Sequence, residues 1–172
     1  MSKLNSKDFL KRLNILTDEL RGQIEAAFDG WDDSPKAISE RRAKVFDPVN
    51  GFAYFLKNYF PHYLRSDSQS KLHEYLFCEL PAMLANPKSQ NYALAAPRGE
   101  AKSTIVTRLF SLYCVITGQK RYIVIVSNTY EQAAEFLAAI KTELEANTRL
   151  KIDFPQVFGV GKTWTTGKII TK

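Results

Sequence analysis

The residues best suited to chemistry are Lys102, Ser103 and Thr104, which end the turn in the stretch YALAAPRGEAKSTIVTRLF. A lysine followed by hydroxyl residues is typical of the end of a phosphate-binding loop. Its ammonium reaches the β- and γ-phosphates and the next hydroxyl binds Mg²⁺. The usual pattern, G-x-x-x-x-G-K-[ST], is broken at both glycines, because Ala96 and Ala101 stand there. A basic strand-to-helix turn with its lysine in solvent is therefore the alternative to a nucleotide site.

The turn keeps features of a phosphate loop despite the missing glycines. Gly99 remains within it, and Ala101 carries only a methyl group, which fits if the backbone there stays at negative φ. Pro97 stiffens the start of the turn and removes one N–H donor. The candidate nucleotide-binding residues are Pro97, Arg98, Gly99, Glu100, Ala101, Lys102, Ser103 and Thr104, with Ser103 as the candidate Mg²⁺ ligand.

Four segments would position this turn. Residues 92–96 are a short apolar run and 121–127, RYIVIVS, are apolar and β-branched, which predicts two buried parallel strands. Residues 102–116 and 130–147 have helical periodicity. This alternation predicts an α/β fold with part of a parallel sheet of the P-loop NTPase type, joined by right-handed crossovers.

The N-terminal half is predicted to be entirely helical. Apolar residues spaced by three and four form a stripe that predicts a helix over 6–28. The stripe consists of Phe9, Leu13, Leu16, Leu20, Ile24 and Phe28. Ser34-Pro35 and Asp47-Pro48 are start signals for two more helices, and a fourth is expected to begin near Ser68 or Ser70. We therefore predict a helical region over 1–88, followed by the first part of a P-loop ATPase domain over 89–172.

Composition restricts the class of protein. The 172 residues are 45% hydrophobic, enough to bury a core, and carry a formal net charge of +6. A basic chain favours polyanionic partners, although a slightly basic solvated surface explains the charge equally well. Cys78 and Cys114 lie in apolar helical patterns and predict two buried thiols in a reducing cytoplasm. No run is apolar and long enough to predict a membrane span.

The sequence around this turn resembles a known family. APRGEAKST, followed by YIVIVSNTYEQAAEFLAAIKTELEAN, is similar to the ATPase domain of the large terminase subunits of tailed bacteriophages, the motors that package viral DNA. The upstream YFPHYLRSDSQSKLHEYL is also similar, so that the resemblance covers most of 45–172. It implies ATP and Mg²⁺ as cofactors, with Lys102 on the β- and γ-phosphates and Ser103 on the metal. The backbone N–H groups of 99–101 would face the phosphates. Arg98 would act with Lys102 in catalysis, by stabilising charge near the γ-phosphate or by sensing that phosphate, and a surface arginine on a loop is an equal alternative.

The resemblance also implies partners and an activity. The full-length motors couple ATP hydrolysis to translocation of double-stranded DNA into a capsid. They work as a homo-oligomeric ring with a small terminase subunit and a portal protein, away from membranes, in the cytoplasm of the bacterial host of a phage or prophage. The acidic Mg²⁺-coordinating strand and the nuclease carboxylates of the family are absent from this sequence, so we expect this chain alone to be inactive or very weak. The alternatives are a non-catalytic docking module with a vestigial loop, or another P-loop enzyme such as a helicase or a small-molecule kinase.

Two further groups of residues are weaker candidates. Gln69, His73 and Tyr75 lie where related motors hold the adenine, although the apolar pattern around Tyr75 is equally typical of a core position. Asn128 follows the second predicted strand and would touch nucleotide or DNA, whereas Thr129 beside it is suited to capping the next helix.

Overall fold

Helices dominate the backbone. The computed structural model describes residues 6–27, 30–64 and 70–171. Within these ranges the helices are α1 (Ser6–Ala26), α2 (Pro35–Val45), α3 (Gly51–Tyr59), α4 (Lys71–Ala85), α5 (Phe110–Ile116), α6 (Tyr130–Ala146) and α7 (Thr148–Asp153), with a 3₁₀ turn at Pro61–Tyr63 and a π-helical turn at Thr104–Leu109. None of the helices in this part of the chain combines the length and the apolarity that crossing a bilayer requires.

Three helices begin at caps that the sequence predicts. The side-chain oxygens of Ser34, Ser70 and Thr129 accept backbone N–H hydrogen bonds from residues three positions later, at 3.3, 3.3 and 3.2 Å. Each cap satisfies a backbone donor at a helix start that has no partner within the helix. The starts of α2, α4 and α6 are therefore confirmed, with Ser70 rather than Ser68 at the start of α4.

The start of α3 differs from the prediction. The carboxylate of Asp47 accepts from the backbone N–H groups of Val49 and Asn50, at 3.0 and 2.6 Å, as a cap does. These bonds close a turn around Pro48, and the helix begins only at Gly51. An aspartate can cap a turn as well as a helix, since both expose successive N–H groups.

The predicted parallel sheet is wrong. Among the described residues, the sheet consists of β1 (Thr163–Trp164) and β2 (Ile169–Ile170), which pair antiparallel with Thr163 opposite Ile170. Neither 92–96 nor 121–127 forms a strand. The side chains of Tyr122 and Val126 are each 85% exposed, whereas a central strand would bury them. The α/β fold class is therefore replaced by a mainly helical one.

The physical reason is that a strand needs a neighbour. β-branched residues favour extended backbone, but an extended segment gains stability only by pairing and by packing one face. Residues 92–96 include three alanines, which are weak strand formers, and Pro97 follows them at once. The run at 121–127 keeps no regular structure, because its composition specifies an extended backbone and not a partner.

The described chain divides into two compact units. One comprises 32–123, and the other comprises the residues up to Trp31 together with those from Val124 onward. The chain passes from the first to the second within the apolar run 121–127. The candidate loop lies in the first unit.

The unit that holds the loop has an aromatic core. Phe52 is fully buried and lies edge-on to the rings of Phe77, Phe110 and Tyr113, at centroid distances of 6.1, 5.4 and 5.2 Å. Such edge-to-face pairs add stability beyond the burial of their area. The Tyr113 hydroxyl donates to the buried end of α2 at the Val45 carbonyl, at 3.1 Å. This core holds α2, α3, α4 and α5 together.

In the other unit, α1 packs along α6. Phe9 and Leu13 form a buried cluster with Ala134 and Ala138 of α6. Leu16, which the apolar stripe predicts to be inward, is 40% exposed. The predicted stripe is therefore interrupted at Leu16, whereas Ile24 further along it is fully buried, and Phe28 at its far end lies outside the described residues.

The two cysteines differ in burial. Cys114 is buried in α5, as predicted, and burial raises its pKa to about 11. Cys78 is exposed on α4, so that the prediction of two buried thiols is wrong for this residue. The reason is that residue 78 lies beside the apolar stripe of α4 and not on it, because Phe77 and Leu80 are the buried neighbours.

Candidate phosphate-binding loop

The turn after residue 96 alternates in backbone handedness. Gly99 has φ +93° and Ala101 has φ +49°, while Arg98, Glu100 and Lys102 keep negative φ. Successive residues of opposite handedness turn their N–H groups toward one point and form an anion-binding nest. The backbone of 98–102 therefore has the sign pattern of a phosphate-binding concavity.

The backbone conformation of Ala101 differs from the one expected from the sequence. We expected this alanine to fit at negative φ, and the structure places it in the left-handed region instead. A left-handed backbone brings the Cβ of an L-residue close to the carbonyl oxygen, which is why glycine is usual there. The position that carries glycine in the common pattern thus keeps the conformation of a glycine while it holds an alanine.

Lys102 closes the loop. Its ammonium nitrogen donates to the carbonyl oxygen of Ala96 at 3.1 Å, and the residue is half-buried. The side chain therefore returns across the turn to the residue at which the turn begins. An ammonium carries three donors, so contact with one carbonyl is compatible with contact to a phosphate.

A helical course follows the loop at once. The N–H of Ile105 donates to the Ala101 carbonyl at 2.9 Å, and the π-helical turn Thr104–Leu109 continues into α5. The predicted helix over 102–116 is confirmed as a helical segment, although its first turns are wider than an α-helix. Such wide turns recur at functional sites.

The candidate residues differ in exposure. Those open to solvent are Pro97, Arg98, Gly99 and Ser103, and those half-buried are Glu100, Ala101, Lys102 and Thr104. The exposed set includes the one additional cation, Arg98, and the first hydroxyl of the pattern. Both are accessible to a ligand at the mouth of the loop.

His73 also contacts the loop, which the sequence did not predict. Its Nε2 lies 3.1 Å from the carbonyl oxygen of Glu100, 27 positions along the chain. The sequence marked His73 as a possible adenine neighbour, whereas the structure places it against the loop backbone. A contact at this separation follows no periodicity, so no sequence signal could have found it.

The other weak candidates have separate outcomes. Tyr75 is 52% exposed, so that the core interpretation is wrong for it, and Gln69 lies outside the described residues. In the second unit Thr129 caps α6, as the alternative for this segment predicts. Ser127 donates to the Gln132 side chain at 2.7 Å.

One hydroxyl of the loop is suited to a Mg²⁺ ion that would arrive with a nucleotide. Mg²⁺ in phosphate sites usually keeps several waters and takes one or two protein ligands besides the phosphate oxygens. Ser103 supplies one exposed hydroxyl directly after Lys102. Across the described ranges no group of three or more His, Cys, Asp or Glu could hold a metal ion without a nucleotide.

A scan against protein-family models, a search of curated proteins and a search of solved structures found no match to this chain. The link to large terminase subunits therefore stays a prediction from the motifs.

Proposed function

We propose that residues 96–104 bind the phosphate groups of a nucleoside triphosphate together with Mg²⁺. The observation that carries this proposal is the alternation of φ signs over 98–102, which ends at a lysine that spans the loop. Neither feature is needed to join an extended segment to a helix. Together they supply the converging N–H groups and the single cation that a polyphosphate requires.

Each residue then has a role of its own. The N–H groups of Gly99, Glu100 and Ala101 would bind phosphate oxygens, and Lys102 would contact the β- and γ-phosphates. Ser103 would contribute its hydroxyl to Mg²⁺, as the resemblance implies. Arg98 is exposed at the mouth of the loop, where a guanidinium can neutralise charge that develops near the γ-phosphate.

The finer assignment is that the nucleotide is ATP and that the chain is part of a DNA-packaging motor. Its support is the resemblance to large terminase subunits of three stretches: the loop, the S-N-T sequence at 127–129, and the upstream YFPHYL at 59–64. On this proposal the partners are double-stranded DNA, a small terminase subunit and a portal protein. Hydrolysis would then need acidic groups beyond those of this sequence, so binding is the property to test on this chain.

A titration with a fluorescent ATP analogue and Mg²⁺ tests the proposal. We expect saturable binding to the intact chain and a loss of at least about tenfold in affinity for Lys102→Ala, since a single charge-assisted contact is worth about 1.5–3 kcal/mol. Lys88→Ala is the matched control, because Lys88 is an exposed lysine outside the loop in the same unit.

Three outcomes would contradict the proposal: no saturable binding to the intact chain, equal affinity for all three proteins, or equal losses in both variants. The last two would indicate general attraction to a basic surface. If nucleotide does not bind while a partner protein binds equally well with and without Lys102, the docking-module alternative is favoured instead.

A further inference from the structure

The side chain of His73 is held in place before it reaches the loop. Its backbone N–H donates to Ser70 at the start of α4, at 3.3 Å. Its ring stacks on that of Phe77, with centroids 6.3 Å apart and an angle of 27° between the planes. Phe77 is itself buried in the aromatic core. The position of the imidazole is therefore fixed by the start of α4 and by its packing against Phe77.

The contact with Glu100 determines which ring nitrogen carries a proton. A carbonyl oxygen only accepts hydrogen bonds, so at 3.1 Å the Nε2 of His73 must be the donor. Both the neutral tautomer protonated at Nε2 and the imidazolium meet this requirement. The bond thus tethers one peptide group of the loop to α4.

That peptide group joins Glu100 to Ala101. It is trans, because the chain has no cis peptide bond among its described residues. In a planar trans peptide the C=O and N–H point in opposite directions. Since His73 holds the Glu100 oxygen toward α4, the N–H of Ala101 is turned away from α4.

We propose that His73 is a positioning residue, which fixes the peptide between Glu100 and Ala101 and so presets the phosphate-binding nest. This inference rests on the proposed function of the loop. His73 itself touches no phosphate. It acts through the peptide plane and maintains the left-handed conformation that Ala101 would otherwise leave.

Three substitutions separate the donor from the ring. His73→Gln keeps an N–H donor at the end of the side chain. His73→Phe keeps a ring against Phe77 but has no donor, and His73→Leu resembles glutamine in size without its donor. In the fluorescent ATP titration with Mg²⁺, we expect affinity within about twofold of the original for His73→Gln and about tenfold weaker for the other two.

A substitution at Ala101 tests whether His73 acts through the backbone conformation of the loop. Glycine adopts positive φ freely, so Ala101→Gly should make the tether less necessary. We expect His73→Phe to weaken binding by no more than about threefold when Ala101→Gly is also present. Hydrogen exchange of the amides of 99–102 gives a readout without nucleotide: they should exchange faster in His73→Phe than in His73→Gln.

The outcomes distinguish the two proposals. Saturable binding that is unchanged in His73→Phe and His73→Leu would overturn the role of His73 and leave the nucleotide site intact. Equal losses in all three variants, or a loss that Ala101→Gly does not reduce, would show a merely structural contribution and would also overturn it. Absence of binding to the unsubstituted chain would overturn the proposed function itself, and with it this inference.

Discussion

Replacement of Ala101 by glycine should stabilise the protein, although glycine usually destabilises. Ala101 has φ +49°, and a left-handed backbone costs a residue with a Cβ about 1–2 kcal/mol. Glycine escapes that strain but loses more freedom on folding, which costs about 0.5–1 kcal/mol. The difference is a gain of about 0–1.5 kcal/mol in the free energy of unfolding, with a midpoint of about 0.75 kcal/mol. For a chain of this size the midpoint corresponds to a rise in Tm of about 1.5–3 °C.

Thermal unfolding followed by circular dichroism measures this shift. The matched control is Ala43→Gly, since Ala43 is an exposed residue of α2 in the same unit and has helical backbone. There glycine should lower the free energy of unfolding by about 1 kcal/mol. The two substitutions are chemically identical and are expected to have opposite signs. A fall in Tm for Ala101→Gly similar to that for Ala43→Gly would refute the left-handed assignment and the nest built on it.

The remaining predictions concern buried polar groups. Tyr113→Phe removes the donor to the buried Val45 carbonyl and should lower the free energy of unfolding by about 1–2 kcal/mol in urea titration; an unchanged midpoint would contradict the bond. At pH 8.5, iodoacetamide should alkylate exposed Cys78 well before Cys114, and equal rates would contradict the burial. Burial raises the pKa of Cys114 from 9.0 to about 11, so the folded state should lose stability as the pH rises between these values, and a flat profile would argue otherwise. Fully buried Asp153 accepts from the indole N–H of Trp31 at 3.2 Å. Asp153→Ala should lower the free energy of unfolding by about 1–3 kcal/mol and shift the tryptophan emission, and an unchanged spectrum would contradict the contact.

Helix starts could be predicted from the sequence because their causes are local. Ser34, Ser70 and Thr129 each satisfy a donor three residues away, so the signal and the structure lie within one turn. Strand pairing is not local. The run RYIVIVS specifies an extended backbone but contains nothing that states which segment would pair with it. The sheet prediction failed at that step.

The candidate site, too, could be predicted from the sequence only in its local features. Its residue types and the lysine after the turn were evident in the sequence, and the structure gives them a common loop. The left-handed backbone of Ala101 was not evident, because a residue with a Cβ is ordinarily expected at negative φ. The contact from His73 was not evident either, since it depends on how α4 packs beneath a loop 27 positions away.

The exposed run at 121–127 makes the rate of proteolytic cleavage independent of the free energy of unfolding. Its residues Tyr122 and Val126 are 85% exposed without regular structure. A protease therefore reaches these peptide bonds without any opening step, and its cleavage rate depends on protease concentration and not on the free energy of unfolding. A stabilising substitution such as Ala101→Gly would raise Tm and leave this rate unchanged. Cleavage within this segment and resistance to heat therefore depend on different parts of the structure.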